Sequence, residues 1–107
     1  MNQAIRQELE SITQQIVRGY QPEKIILFGS SVSGKRTTDS DFDLFIVKNT
    51  REHPIRRAQR LSALVDRKIS CDFLVFTPKE VERRDKLGDF FIKDILQTGT
   101  TLYDKLS

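Results

Sequence analysis

Two aspartates, Asp41 and Asp43, stand at the head of an apolar run that continues to Val47. Residues two apart in a strand point to the same side, so a strand here would place both carboxylates on one face. A third aspartate, Asp72, lies inside residues 69–76, whose branched and aromatic content predicts another strand. A carboxylate inside a strand is unfavourable unless something pairs with it. If the two strands are neighbours, the three carboxylates converge and repel one another.

A divalent cation would remove that repulsion. A small set of hard oxygen ligands, with room left for water and phosphate, suits Mg²⁺ or Mn²⁺. Each aspartate alone is more simply structural, as a loop end, a solvent-facing strand residue or part of an edge strand. Taken together, Asp41, Asp43 and Asp72 predict a metal site that is also catalytic.

The segment before this pair, residues 29–36, is called here the Gly-Ser loop. It begins with Gly29 and Ser30 directly after an apolar run. Glycine lets the backbone approach a ligand closely, and exposed amides with a serine hydroxyl can bind phosphate oxygens. Lys35 and Arg36 add positive charge. A Gly-Ser pair by itself is equally typical of a surface turn, so its weight comes from the nearby aspartates.

Two other ligand-binding motifs match this region in part, but each lacks a residue that its function requires. Residues 29–35 spell G-x-x-x-x-G-K, but the next position of a nucleoside-triphosphatase P-loop must be Ser or Thr to hold Mg²⁺, and here it is Arg36. Residues from Asp39 begin like a calcium-binding EF-hand loop. Its sixth position requires glycine and its twelfth glutamate, where this chain has Leu44 and Thr50.

Hydrophobic periodicity predicts the elements around these motifs. Helices are expected at 2–18, ending at Gly19, at 54–67, and at 78–98, where Gly88 either kinks or interrupts the helix. Strands are expected at 24–28, 41–47, 69–76 and 100–103. Residues 30–40 are expected to form a loop, with a short helical turn inside it as an alternative. Phe73, Phe90 and Phe91 are expected in the core, and Arg56, Arg57 and Arg60 on a solvated helix face. The order predicts an α/β (α+β) fold of two layers, with helices packed on a small mixed sheet.

Bulk properties narrow the class of protein. A chain of 107 residues predicts a single domain, 1–107. The net charge of +3 is too small to indicate direct nucleic-acid binding. One cysteine excludes an intrachain disulfide, and neither a membrane-spanning run nor a leader is visible, so we expect a cytoplasmic protein without membrane contact.

The pattern Gly29-Ser30, ten residues, Asp41-Phe42-Asp43 resembles the signature of the DNA polymerase β-like nucleotidyltransferase superfamily. The strings Leu27 to Ser30 and Ser40 to Leu44 resemble its small prokaryotic branch, the minimal nucleotidyltransferases (MNT or MntA-like), and Asp72 fits the late third carboxylate. The resemblance covers nearly the whole chain. That branch often has basic residues directly after Gly-Ser, where this chain has Ser31 and Ser33, so its phosphate contacts are expected to be rearranged.

The resemblance implies two-metal nucleotidyl transfer. Asp41 and Asp43 would hold metals that bridge a nucleoside triphosphate, and Asp72 would complete the second metal and help activate the attacking hydroxyl. Gly29, Ser30, Lys35 and Arg36 would bind the terminal phosphates. ATP would donate AMP to a tyrosine hydroxyl of a helical HEPN-domain toxin, which makes the chain an antitoxin.

Two alternatives stay open. One is a catalytically inactive binding module with the same fold. The other is transfer to a small molecule of the aminoglycoside type, for which a homo-oligomer would have to supply the acceptor cleft.

Overall fold

The computed structural model describes residues 1–37 and 40–107. The helices are α1 (Gln3–Tyr20), α2 (Ser30–Ser33), α3 (Pro54–Leu64), α4 (Pro78–Lys86) and α5 (Phe90–Thr98), and the strands are β1 (Lys24–Phe28), β2 (Phe42–Val47), β3 (Cys71–Phe76) and β4 (Thr100–Asp104). Of the predicted loop 30–40, Thr38 and Asp39 lie outside the described residues, as does the start of the rejected calcium loop.

The strands form one mixed sheet in the order β3-β2-β1-β4. β1 pairs antiparallel with β2 on one side and with β4 on the other. β2 and β3 are parallel, because α3 carries the chain back to the starting edge before β3 begins. The prediction of an α/β fold with helices packed on a small mixed sheet is confirmed, but the helices cover both faces of the sheet, so the layers number three and not two.

The sheet has two apolar faces with different covers. α1 and α3 pack on one face, where the fully buried residues include Ile12, Phe42, Leu44 and Leu61. α5 covers the other face with Ile92 and Ile95, which pack against alternate residues of β1 and β2. Because successive strand residues point to opposite faces, β2 divides its side chains between the two cores.

The end of α1 differs from the prediction. The helix runs through Gly19 to Tyr20, and Gln21 closes it in the left-handed conformation with φ of 51°. A Cβ at Gly19 would lie 2.7 Å from Cδ1 of Leu64 at the end of α3. Gly19 therefore permits close packing of two helices, and it is not the residue that terminates the first one.

The predicted helix 78–98 is two helices. Gly88 adopts a φ of +78°, and Asp89 then caps α5 by accepting hydrogen bonds from the amides of Phe91 and Ile92. Placing Phe90 and Phe91 in the core was wrong. Both lie in the first turn of α5, where Phe90 is 87% exposed and Phe91 is 49% exposed, although the Phe91 ring still packs edge-on against Phe28 of β1 with 5.8 Å between ring centroids.

The prediction that Arg57 lies on a solvated helix face is also wrong. It is only 5% exposed and donates hydrogen bonds to the main-chain oxygens of Glu52 and Val75 and to both carboxylate oxygens of Glu80. The guanidinium thus ties α3 to β3 and to the start of α4. Arg56 and Arg60 are exposed, as predicted.

No helix within residues 1–37 and 40–107 combines the length and the apolar content needed to cross a bilayer.

Candidate active site

The parallel pairing of β2 and β3 brings the predicted carboxylates to one edge of the molecule. Asp43 and Asp72 are direct Cα partners in the register of the two strands. Asp41 precedes β2 by one residue. Strand alternation puts Asp43 on the same face as Phe45, which packs with α5, and puts Asp41 on that face too. We call this side of the sheet, which carries Asp41, Asp43 and Phe45, the carboxylate face.

The three aspartates influence one another electrostatically. Burial raises the pKa of Asp43 above its ordinary value, and the neighbouring charges of Asp72 and Asp41 raise that pKa further. Asp43 is half-buried, whereas Asp41 and Asp72 are exposed. The site therefore concentrates negative charge around the least solvated of its three carboxylates.

The Gly-Ser loop meets this cluster at Gly29. A Cβ added to Gly29 would overlap Oδ2 of Asp43 and would lie 3.1 Å from its Cγ. Gly29 also has φ of +77° and ψ of −145°, a conformation that is essentially restricted to glycine. Two independent constraints, one steric and one conformational, thus require glycine where the loop passes the Asp43 carboxylate.

After Gly29 the chain turns sharply into α2. The amides of Val32 and Ser33 both donate to the Gly29 carbonyl at 3.1 Å. Ser30 is the first residue of this short helix and is half-buried, and Lys35 is exposed after the turn at Gly34. Ser30 and Lys35 are therefore on the loop that borders the carboxylates, where the sequence predicted phosphate contacts.

Arg36 has contacts that the sequence did not reveal. Its Nη1 donates to Oγ of Ser31 at 2.9 Å, and its guanidinium lies 4.5 Å from the ring centroid of Phe42. Phe42 belongs to the core under α1 and α3, so its ring points away from the carboxylate face. The Arg36 side chain thus joins the Gly-Ser loop to β2 through its hydrogen bond to Ser31 and its packing on the Phe42 ring.

The donor set fits a hard divalent cation as a partial ligand shell. Carboxylate oxygens are the ligands that Mg²⁺ prefers, and a cation would offset the repulsion that raises the pKa of Asp43. In the described part of the chain no three His, Cys, Asp or Glu side chains are close enough to hold a metal by themselves. Mg²⁺ is commonly held by one or two carboxylates with substrate phosphates and water, so these side chains suit that arrangement better than an all-protein cage.

Comparison with known proteins agrees with this geometry. Residues 10–106 match the family model described as polymerase beta, nucleotidyltransferase. The fold is similar to the crystal structure of a candidate nucleotidyltransferase from Sulfolobus solfataricus, with a TM-score of 0.67 and 15% identity over 94% of this chain and 81% of that one. No curated protein is significantly similar in sequence. Because the family model spans almost all of the chain and includes the Gly-Ser loop and all three aspartates, the chain belongs to the polymerase β nucleotidyltransferase family.

Proposed function

We propose that this protein transfers AMP from ATP to a hydroxyl group, with Asp41, Asp43 and Asp72 as its metal-binding and catalytic carboxylates. The observation that carries the proposal is the meeting of three segments at one point. Asp43 faces Asp72 across paired strands and lies against Gly29 of the Gly-Ser loop. Family membership supports nucleotidyl transfer, and this convergence supports its location.

Each part of the site has a distinct role in the proposal. Asp41 and Asp43 would hold the cation, and Asp72, the register partner of Asp43, would accept the proton of the attacking hydroxyl. When bound, Mg²⁺ or Mn²⁺ supplies charge neutralisation of the phosphates. The loop amides, Ser30 and Lys35 bind the terminal phosphates, which leave as pyrophosphate. Catalysis of this kind depends mainly on positioning and on electrostatic stabilisation.

Arg36 assists this loop in the proposal by charge and by support. Its hydrogen bond to Ser31 and its packing on Phe42 fix the loop to the strand that carries Asp43. A positive group so close to the loop also favours bound phosphate.

For the acceptor, we propose a tyrosine hydroxyl of a HEPN-type toxin, so that the chain acts as its antitoxin. The support is the likeness of residues 27–30 and 40–44 to the minimal branch of the family, in which such a partner is usual. The site agrees with a separate acceptor protein, because Asp41 and Asp72 are exposed and open to an approaching macromolecule.

The test is transfer of label from [α-³²P]ATP with Mg²⁺ to a co-purified HEPN protein encoded beside this gene. We expect labelled partner with the wild type and none with Asp41→Asn/Asp43→Asn, while both forms still bind the partner. Binding without labelling would identify an inactive binding module. Labelling of an aminoglycoside in place of the protein would identify small-molecule transfer.

A further inference from the structure

A cavity adjoins the Gly-Ser loop on the side of α5. Its volume is about 520 Å³, and its walls are formed by Gly29, Val32, Ser33, Asp94 and Thr98. That volume is within the range of roughly 300–1,000 Å³ that is usual for small-molecule sites. The Asp94 and Thr98 side chains come from the last two turns of α5 and have no part in the carboxylate cluster.

The cavity and the carboxylates share one residue. Gly29 contacts the Asp43 carboxylate and also lines the cavity. A ligand with phosphates on the Gly-Ser loop would therefore have its remaining part within reach of the cavity. The absence of a side chain at Gly29 keeps this connection open.

The chemistry of the walls selects which part of a nucleotide can enter. Among the lining residues that the structure describes, Asp94 alone is charged, and its negative charge disfavours a phosphate. An ionised carboxylate accepts hydrogen bonds and donates none, so its ligand must supply a donor. The Thr98 hydroxyl already donates to the Asp94 main-chain oxygen at 2.8 Å, which leaves its oxygen lone pairs as further acceptors. A neutral group rich in donors fits these walls.

We propose that this cavity holds the nucleoside of the nucleoside triphosphate, and that Asp94 is a specificity-determining residue that accepts a hydrogen bond from it. The donor is a ribose hydroxyl or the exocyclic amino group of the base, and both have the same chemistry toward a carboxylate. This inference rests on the proposed function, because it takes the phosphates to lie on the Gly-Ser loop.

The experiment compares two ligands that differ only in the nucleoside. Binding of Mg²⁺-ATP and of Mg²⁺-tripolyphosphate is measured by calorimetry for the wild type, for Asp94→Asn and for the control Asp66→Asn. Asp66 is an exposed carboxylate between α3 and β3, so its loss changes net charge by the same amount. The amide oxygen of Asp94→Asn still accepts a hydrogen bond but carries no charge, so we expect this variant to weaken ATP about fivefold and to leave tripolyphosphate unchanged.

Tripolyphosphate binding also shows that the variant is folded. Equal weakening of both ligands would mean that Asp94 acts on the phosphates, and unchanged ATP binding would mean that the charge of Asp94 meets no donor of the nucleoside; either result overturns the nucleoside site. If neither ligand binds the wild type, the proposed function fails first. If the Asp94→Asn effect disappears with 2′,3′-dideoxy-ATP, the donor is the ribose, and if it disappears with purine riboside triphosphate, the donor is the base.

Discussion

The carboxylate of Asp43 lies against the backbone of Gly29, with no room for even a methyl group between them. This contact joins the Gly-Ser loop to the strand that carries the acidic cluster. It means that the position of the loop and the position of a central carboxylate are set by the same few atoms.

Substitution of Gly29 by alanine should therefore separate the loop from the cluster. The added Cβ forces Asp43 to move, and alanine is strained at a φ of +77°. We expect Gly29→Ala to lower the free energy of unfolding by about 2 kcal/mol and to weaken Mg²⁺-ATP binding at least tenfold.

Gly34 provides the matched control for this substitution. It has a similar φ of +81°, but nothing lies within 4 Å of an added Cβ. Gly34→Ala should cost about 1–2 kcal/mol of stability and change ATP binding less than about twofold. Equal losses of binding in the two variants, measured by urea unfolding and calorimetry, would show that strain alone is responsible and that the Asp43 contact is not.

Removal of one charge from the acidic cluster should stabilise the protein when no metal is present. Burial and the charges of Asp72 and Asp41 disfavour the ionised form of Asp43. We expect Asp43→Asn to raise the free energy of unfolding by about 0.5 kcal/mol in EDTA, or the melting temperature by roughly 2–4 °C. Millimolar Mg²⁺ with ATP should reverse the order by stabilising only the wild type. A variant less stable than the wild type in EDTA would contradict the repulsion inferred here.

The Arg57–Glu80 pair should make stability depend on pH in the acid range. The hydrogen bonds from Arg57, and then that from the Thr77 amide, lower the pKa of Glu80 below its ordinary value of 4.5. The native state therefore favours the ionised form, and this contribution is complete above pH 4.5 and is lost as the pH falls through the lowered native pKa. Because the Glu80 side chain is 39% exposed and solvent screens its charge, we expect Glu80→Gln to destabilise the protein by only about 1 kcal/mol at pH 7 and by much less at pH 3.

The measurement is urea unfolding of wild type and Glu80→Gln at a series of pH values. Glu82→Gln is the control, because the Glu82–Lys86 pair is exposed on one helix and should contribute little. A constant difference between wild type and Glu80→Gln from pH 7 to pH 3 would show that the Glu80 charge does not matter.

The start of α5 depends on a single cap. Asp89 accepts from the Phe91 and Ile92 amides, and its other oxygen lies 3.5 Å from Arg84. We expect Asp89→Ala to cost about 1 kcal/mol and Asp89→Ser, which can still cap, less than half of that. Circular dichroism with thermal unfolding is the measurement. Similar losses for Ala and Ser would assign the stabilisation to the Arg84 pair.

The sequence was sufficient for the parts of the fold that depend on local pattern. Strand alternation predicted the shared face of Asp41 and Asp43, and proline at the start of α3 and of α4 marked both beginnings correctly. Gly88 was expected either to kink or to interrupt the helix 78–98, and the cap that decides for an interruption is Asp89. A glycine that merely bends a helix and one that ends it look alike until the next cap is recognised.

Non-local contacts set the limit of that prediction. Gly19 resembled a helix terminator, whereas its lack of a side chain serves the contact with Leu64. Arg57 looked like a solvated charge because its partner Glu80 is distant in sequence. The cavity beside Asp94 could not be predicted from the sequence, because Asp94 and Thr98 look like ordinary exposed residues of an amphipathic helix.

The parallel partnership of Asp43 and Asp72 also constrains how the protein reaches its working form. β1 and β2 are joined by residues 29–41, whereas Asp72 meets Asp43 only when the longer segment 48–70, which includes α3, has returned the chain to the edge of β2. Pairings of this kind close late, because the entropy of a long loop must be overcome first. A chain that has not yet paired β2 with β3 therefore holds Asp41 and Asp43 together without Asp72, and the acidic cluster is complete only when that pairing has formed.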